Sequence, residues 1–194
     1  MKIKTAIFLA LLWLFGIGYG MSILMTHERT PSSQSNPFPP SGELLLSFLH
    51  DKPFGLVMFA HPHCICTKAS ISELQWILSK CSDSVQATIL FVKPEGASED
   101  WEKSDSWQLA CELPNVHVVV DESAMLAKRL GALTSGQTFL INSTGNILFS
   151  GGITNGRGVT GDNAGRRAIL SLAKTSPSNE PPQSTANVFG CTLY

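Results

Sequence analysis

Between Phe54 and Lys174 the sequence alternates short, continuously apolar runs with segments of helical periodicity, and this alternation limits the possible folds. Three apolar runs rich in β-branched residues predict buried strands: "PFGLVMFA", "VQATILFVK" and "VHVVVD". After the first run, apolar residues recur at the spacing of one helix face: Ala69, Ile71, Leu74, Ile77 and Leu78. Helical patterns also follow the other two runs. We expect the first of these helices to begin near Ser98 and the second to end at Gly131.

The remainder of this region predicts a β-hairpin and a final helix. "QTFLINSTGNILFSGG" turns at Asn142–Gly145, and a glycine-rich loop, Gly151–Gly161, leads to the helix "NAGRRAILSLAK", with Asp162 or Asn163 as its cap. The order β-α-β-α-β-α-β-β-α predicts a largely parallel sheet with helices on both faces and an antiparallel hairpin. This order is typical of the thioredoxin-like fold, a three-layer α/β/α sandwich around a mixed central sheet.

The N-terminus carries an apolar segment, Ala6–Met25, that contains no charged residue. A span of about 20 residues is the length that a helix needs to cross the hydrocarbon core of a bilayer. Lys2 and Lys4 precede it, which favours a cytoplasmic N-terminus. We therefore expect a single-pass protein of the inner (cytoplasmic) membrane, in contact with lipid through this helix and with its domain on the periplasmic side. A cleaved signal sequence is the alternative, because several glycines weaken the outer end of the helix.

Composition divides the rest of the chain. Residues 1–5 form a short cytoplasmic N-terminus, 6–25 the transmembrane anchor, and 26–41, rich in Pro and Ser, an extended linker. A short amphipathic helix, "GELLLSFLH", with Ser41 as a possible cap, opens a thioredoxin-like domain at 42–174. Residues 175–194 are expected to be a flexible tail.

Charge and cysteine content narrow the function. The net charge is -1, and the basic residues form no stripe, so we expect no nucleic-acid partner. Five cysteines are an odd number, so at least one is unpaired, catalytic, metal-bound or intermolecular.

The stretch "FAHPHCICTKASISEL" places Cys64 between the end of a strand and the start of a helix. Unpaired N–H groups and the dipole of a helix N-terminus stabilise a thiolate there, so Cys64 is expected to attack disulfides. Cys66 is its expected partner, and Thr67 stands where a Cys-x-x-Cys motif has its second cysteine. The shorter Cys-x-Cys ring favours a more oxidising pair. His63, directly before Cys64, would tune the thiolate.

Two alternatives remain open for this cluster. Cys64 can pair with another thiol, and Cys191, three residues from the C-terminus, is the obvious candidate. Alternatively, His61, His63, Cys64 and Cys66 form a plausible ligand set for copper. Pro62 and the start of the helix break the alternation that would bring the four side chains to one side. The expectation is therefore a redox site without a cofactor.

Four stretches together resemble the RedB-type proteins, membrane-associated members of the thioredoxin-like superfamily: "HPHCICTKASISEL", "TSGQTFLINSTGNILFSGGIT", "RGVTGDNAGR" and the terminal "VFGC". The resemblance covers about Phe54 to Lys174 and the tail cysteine. It implies a thioredoxin-like fold and thiol–disulfide chemistry with protein thiols or disulfides, and it does not define their identity.

One departure from thioredoxins concerns the groove that faces the redox site. Thioredoxins place a cis-proline before the strand that approaches their cysteines, and Gln137 holds that position here. Because a cis bond before a residue other than proline is costly, we expect a trans peptide. Ser135, Gly136 and Gln137 would then form an altered substrate groove, in which side chains supply hydrogen bonds. The glycine-rich loop would bring Arg157 and Asp162 towards the cysteines, or serve only as a turn before the last helix.

The sequence therefore predicts a membrane-anchored, extracytoplasmic thiol–disulfide oxidoreductase with Cys64, Cys66 and His63 as catalytic residues. Its alternative is a copper-binding or copper-delivery protein of the same fold.

Overall fold

The chain consists of two units in a computed structural model, Met1–Thr30 and Pro31–Tyr194. The structure describes residues 2–32, 38, 42–49, 52–174 and 183–194.

The first unit is a single helix, α1, Lys2–Arg29. Its stretch Ile3–Arg29 is long enough and apolar enough to span a membrane, judged by length and composition. The helix continues beyond the predicted anchor into residues 26–29 of the predicted linker. The Thr26 hydroxyl donates to Ser22 O at 2.8 Å, so this polar side chain is hydrogen-bonded within the helix. Linker residues 33–37 and 39–41, with the candidate cap Ser41, lie outside the described residues.

The second unit is built on a six-stranded sheet of order β3-β2-β1-β4-β5-β6. The strands are β1 Phe54–Ala60, β2 Val85–Lys93, β3 Val116–Glu122, β4 Thr138–Asn142, β5 Ile147–Gly151 and β6 Ser184–Thr185. The first three run parallel to one another, β4 is antiparallel to both β1 and β5, and β6 is parallel to β5. The helices are a 3-10 helix Gly42–Phe48, α2 Ile65–Cys81, α3 Asp105–Cys111, α4 Met125–Leu130 and α5 Ala164–Leu172.

Two apolar cores cover the two faces of this sheet. Leu56 and Met58 of β1 face the core formed with α2, α3 and α5. Val57 and Phe59 face the other core, which α4 and the 3-10 helix close. Alternate strand residues point to opposite faces, so a strand buried on both sides is apolar throughout, as β1 is. The result is a three-layer α/β/α sandwich with a mixed sheet, which confirms the predicted thioredoxin-like fold.

The helix expected near Ser98 begins later, at Asp105, with Ser104 as its cap. Residues 98–103 form turns instead. The Lys93 ammonium accounts for this, because it donates to Glu99 O at 2.7 Å and pairs with the Glu102 carboxylate at 2.9 Å. These contacts fold the segment back onto the end of β2. The other two predicted helix ends are confirmed: Gly131 closes α4 with φ 64°, and Asn163 caps α5.

The C-terminal residues 183–194 are not the loose tail expected from their composition. Strand β6 pairs with β5, and Val188 and Leu193 are buried. A Cβ at Gly151 would lie 2.3 Å from Ala186 O, so glycine in β5 permits the close approach of this segment. Residues 175–182 lie outside the described part of the chain.

Candidate redox site

Cys64 lies where the sequence places it, between β1 and α2. It is the N-cap residue of the 17-residue helix α2, and its carbonyl accepts the Thr67 N–H at 3.0 Å. The residue is 3% exposed. Cys64 therefore lies at the N-terminus of α2, where the dipole of a helix favours a negatively charged group.

Cys64 is joined by a disulfide to Cys191, with 6.1 Å between their Cα atoms and a sequence separation of 127. Cys66 is a buried free thiol. The Cys-x-Cys disulfide is therefore not the bond formed in this structure, and Cys64 has the alternative partner that the sequence left open. Cys66 is the second residue of α2, and side chains two positions apart at a helix start do not face each other.

The chain around Cys191 lies along the segment 133–135 in antiparallel fashion. The Ser135 N–H donates to Cys191 O at 2.8 Å, and the Leu193 N–H donates to Leu133 O at 3.0 Å. Thr134 and Thr192 form the bridge between these two bonds. The C-terminal segment thus occupies the edge that the sequence assigned to the substrate groove.

The three predicted groove residues have different partners. Gly136 donates its N–H to Phe59 O at 2.8 Å, and Gln137 O accepts the Phe59 N–H at the same distance. The Gln137 side chain is buried and donates to Ser150 Oγ at 3.0 Å. The peptide between Gly136 and Gln137 is trans, as expected, and no described peptide bond is cis. Ser135 is therefore the groove residue that contacts the C-terminal segment through its backbone.

A ring of hydrogen bonds joins this groove to the loop before Cys64. The His61 N–H donates to Ser135 Oγ at 2.9 Å, and the Ser135 and Thr67 hydroxyls lie 2.9 Å apart. Thr67 Oγ1 donates to His61 O at 2.8 Å. Because the Thr67 hydroxyl donates its hydrogen to His61 O, the Ser135 hydroxyl is the donor between the two hydroxyls, and both hydroxyl groups are hydrogen-bonded. Thr67 therefore positions the loop, a role that its place in the motif did not indicate.

The two histidines of the motif pack on Trp101. Their ring centroids lie 5.2 Å (His61) and 4.8 Å (His63) from the Trp101 ring. His63 Nε2 lies 2.9 Å from Trp101 O, and the His63 N–H donates to His61 Nδ1 at 3.2 Å. Burial, with a smaller contribution from the nearby His63, lowers the pKa of His61 from its ordinary value of 6.5. A neutral His61 ring is the form whose Nδ1 can accept this hydrogen bond.

An open cavity of about 550 Å³ adjoins Cys64. Its lining residues are Pro62, His63, Cys64, Ile65, Lys68 and Ser104–Ser106. Ile65 is 81% exposed, although it is apolar and lies between the two cysteines of the motif. At the rim, Lys68 pairs with Asp105 at 2.9 Å. Cys64 and His63 thus lie at the wall of an open cavity.

Arg157 reaches the residue before Cys191. Its guanidinium donates through Nη1 to Gly190 O and through Nη2 to Ser32 Oγ at 3.0 Å. Ser32 Oγ donates to the same carbonyl at 2.9 Å. Asp162 pairs instead with Arg167 in the first turn of α5. Of the two loop residues considered for the site, Arg157 therefore contacts the cysteine-bearing segment.

The candidate copper ligands His61, His63, Cys64 and Cys66 do not converge. Cys64 is in the disulfide, His61 Nδ1 accepts a backbone N–H, and His63 Nε2 contacts a backbone carbonyl. Within the described ranges, no three or more His, Cys, Asp or Glu side chains are grouped to hold a metal ion.

The chain has a thioredoxin-like fold in which the cysteine at the N-terminus of α2 is paired with a cysteine of the C-terminal segment. No protein-family model matches the sequence, and no curated protein matches it either.

Solved structures resemble the chain in fold. An uncharacterized conserved protein from Geobacillus kaustophilus is 16% identical, with a TM-score of 0.56, covering 85% of this chain and 92% of its own. A hypothetical protein from Sinorhizobium meliloti 1021 is 15% identical, with a TM-score of 0.57, covering 84% and 93%. The exposed lipoprotein thioredoxin of Streptococcus pneumoniae strain TIGR4 is 20% identical, with a TM-score of 0.42, covering 66% and 88%. Similarities at these identities concern the fold alone.

Proposed function

We propose that this chain is a membrane-anchored thiol–disulfide oxidoreductase in which Cys64 is the attacking thiol and Cys191 the resolving thiol. The observation that carries the proposal is the disulfide between a cysteine at the start of a long helix and a cysteine on the groove edge. Cys66 was the expected resolving thiol, and its burial as a free thiol favours Cys191 for that role. The RedB-type assignment belongs to this proposal and depends on the sequence motifs.

The reaction needs two exchange steps. The Cys64 thiolate attacks a substrate disulfide, forming a mixed disulfide and releasing one substrate thiolate. The Cys191 thiolate then attacks Cys64 Sγ, which releases the second substrate thiolate and forms the Cys64–Cys191 disulfide. The substrate gains two electrons and the two protons of the chain's thiols. Run in reverse, the same steps oxidise a substrate dithiol.

The proposed location is the periplasmic side of the inner membrane. A helix of spanning length and the two lysines that precede its uncharged segment, Ala6–Met25, support this orientation. A disulfide in the site is consistent with it, because such bonds persist mainly outside the cytoplasm.

A trapping experiment tests the two cysteine roles. With Cys191→Ser, the mixed disulfide on Cys64 has no resolving thiol, so adducts of the full chain should accumulate in the membrane fraction on a non-reducing gel. Cys64→Ser should form none, and Cys66→Ser should resemble the unmodified chain. Adducts that accumulate with Cys66→Ser but not with Cys191→Ser would assign the resolving role to Cys66.

Copper delivery, the alternative function, requires the reduced chain, because the disulfide removes Cys64 from the ligand set. It predicts stoichiometric Cu(I) binding by the reduced protein that is lost with either His61→Ala or His63→Ala. Trapped Cys64 adducts without such binding favour the oxidoreductase.

A further inference from the structure

The C-terminal segment pairs in antiparallel fashion with residues 133–135, which precede β4 and lie outside the named strands. Two backbone hydrogen bonds, from Ser135 to Cys191 and from Leu193 to Leu133, bracket the bridge between Thr134 and Thr192. Backbone pairing of this kind supplies affinity, and the sites for alternate side chains supply specificity. The surroundings of each side chain in the segment therefore indicate which residue types the groove accepts at that position.

The position before the cysteine accepts only glycine. A Cβ on Gly190 would lie 2.1 Å from Ser135 O and 3.2 Å from Thr134 Cγ2. The first contact is with backbone of the groove itself, so a side chain would push the segment away from its hydrogen-bonding partners. Arg157 and Ser32 also donate to the Gly190 carbonyl, which fixes the backbone at this position.

The position two residues after the cysteine lies in an apolar site. Leu193 is 2% exposed and belongs to the same buried cluster as Leu130, Ala132 and Phe139. Thr192, between the cysteine and the leucine, is exposed. The groove therefore restricts the residue directly before the cysteine and the second residue after it. It does not restrict the residue directly after the cysteine.

We propose that the C-terminal segment is a tethered occupant of the substrate groove, and that the substrates are polypeptides with an extended Gly-Cys-x-Leu segment or another aliphatic residue in the last position. This inference rests on the proposed oxidoreductase function. The substrate cysteine forms a mixed disulfide with Cys64 in the place that Cys191 takes in the structure. Substrate and C-terminal segment therefore compete for one groove, and the return of the segment brings the resolving thiol.

The test uses the full chain in detergent with Gly190→Glu and Cys191→Ser combined, so that the C-terminal segment is expelled and Cys64 is free. The probe is the octapeptide NVFGCTLY, the sequence of residues 187–194, as its disulfide-linked dimer. Attack by Cys64 on either sulfur of this symmetric dimer gives the same adduct and releases one peptide thiolate. Matched peptides carry Ala in place of the Gly, or Asp in place of the Leu. Mass spectrometry follows adduct formation, and bis(2-hydroxyethyl) disulfide serves as a small substrate that needs no groove.

The octapeptide should form the Cys64 adduct at least about tenfold faster than either substituted peptide, while the small disulfide reacts normally. Tenfold corresponds to ~1.4 kcal/mol of discrimination. The single variant Cys191→Ser should react more slowly with the octapeptide, because its own segment still fills the groove, and equally fast with the small disulfide. Equal rates for the three peptides alongside a normal small-disulfide reaction would overturn the inference and leave the proposed function standing. No reaction of Cys64 with any disulfide, in either variant, would overturn both.

Discussion

The hydroxyl oxygens of Thr67 and Ser135 lie 2.9 Å apart in a buried contact between the first turn of α2 and the groove segment. Thr67 is 1% exposed and Ser135 is also 1% exposed. Both also bind the backbone of His61, so the loop before Cys64 is held from two sides. Thr67, which stands where a Cys-x-x-Cys motif has its second cysteine, thus anchors the loop before Cys64 to the segment around Ser135.

Thr67→Val should lower the free energy of unfolding by about 1–3 kcal/mol, because the substitution leaves Ser135 Oγ and His61 O short of a partner in a buried place. Denaturant unfolding of the full chain in detergent measures this. The matched control is Thr88→Val. Thr88 is fully buried, and its hydroxyl has no hydrogen-bond partner in the described part of the chain, so its removal should be neutral or stabilising.

Combining Thr67→Val with Ser135→Ala tests whether the two hydroxyls act together. Each substitution alone breaks the same ring, so the double variant should lose clearly less than the sum of the two single losses. Strictly additive losses would mean that the two hydroxyls contribute independently.

Arg157→Met should make the Cys64–Cys191 disulfide easier to reduce. The arginine holds Gly190 O and Ser32 Oγ, so its loss frees the segment that presents Cys191. Hydrogen bonds from a charged donor contribute about 1.5–3 kcal/mol, which corresponds to a potential less negative by roughly 30–60 mV. Equilibration in glutathione buffers, followed by thiol alkylation, measures the potential. Arg167→Met, which removes only the surface pair with Asp162, is the control, and an equal shift for both variants would contradict the role of Arg157.

Local signals in the sequence carry most of the fold. Strands β1 to β5 and helix α2 each have an apolar pattern of their own, and Cys64 is identified by the strand before it and the helix after it. The pairing of Cys64 is different, because its partner lies 127 residues away and no local pattern encodes that distance. The composition of the C-terminal segment even suggested disorder. Its packing depends on Gly151 at the end of β5 and on the buried Leu193, which act only once the sheet exists.

The difference between local sequence signals and contacts between distant residues also applies within the site. His63 and Cys64 are neighbours in the motif, so the sequence identifies them together. Trp101 comes from the turn after β2, and a helical pattern was expected there. The turn forms because the Lys93 side chain reaches back to Glu99 and Glu102, which is a tertiary contact.

Thiol labelling should separate the cysteines by environment. In the oxidised native chain a small maleimide should modify one residue rapidly, Cys111, because this residue is exposed. Partial burial of its thiol and the nearby Glu112 raise the pKa of Cys111. Cys66 and Cys81 are buried, and burial raises the pKa of Cys81 to about 11. Denaturation without reductant should raise the number of modified residues to three, and reduction should raise it to five. Rapid modification of Cys66 in the native chain would contradict its burial and reopen its role as the resolving thiol.

Stability should fall as the pH decreases from about 7 to about 5, and His61 should account for part of the loss. Its pKa is lowered in the folded chain, so the unfolded chain binds more protons in this range, and the free energy of unfolding decreases towards acid. Protonation at Nδ1 also ends the hydrogen bond from the His63 N–H, which fixes the turn before Cys64. His61→Asn keeps an acceptor near that position without a titrating ring, so its unfolding free energy should depend less on pH over this interval. Exposed His117→Asn is the control, and denaturant unfolding at a series of pH values compares the three chains. An unchanged slope for His61→Asn would show that the acid loss arises from other groups.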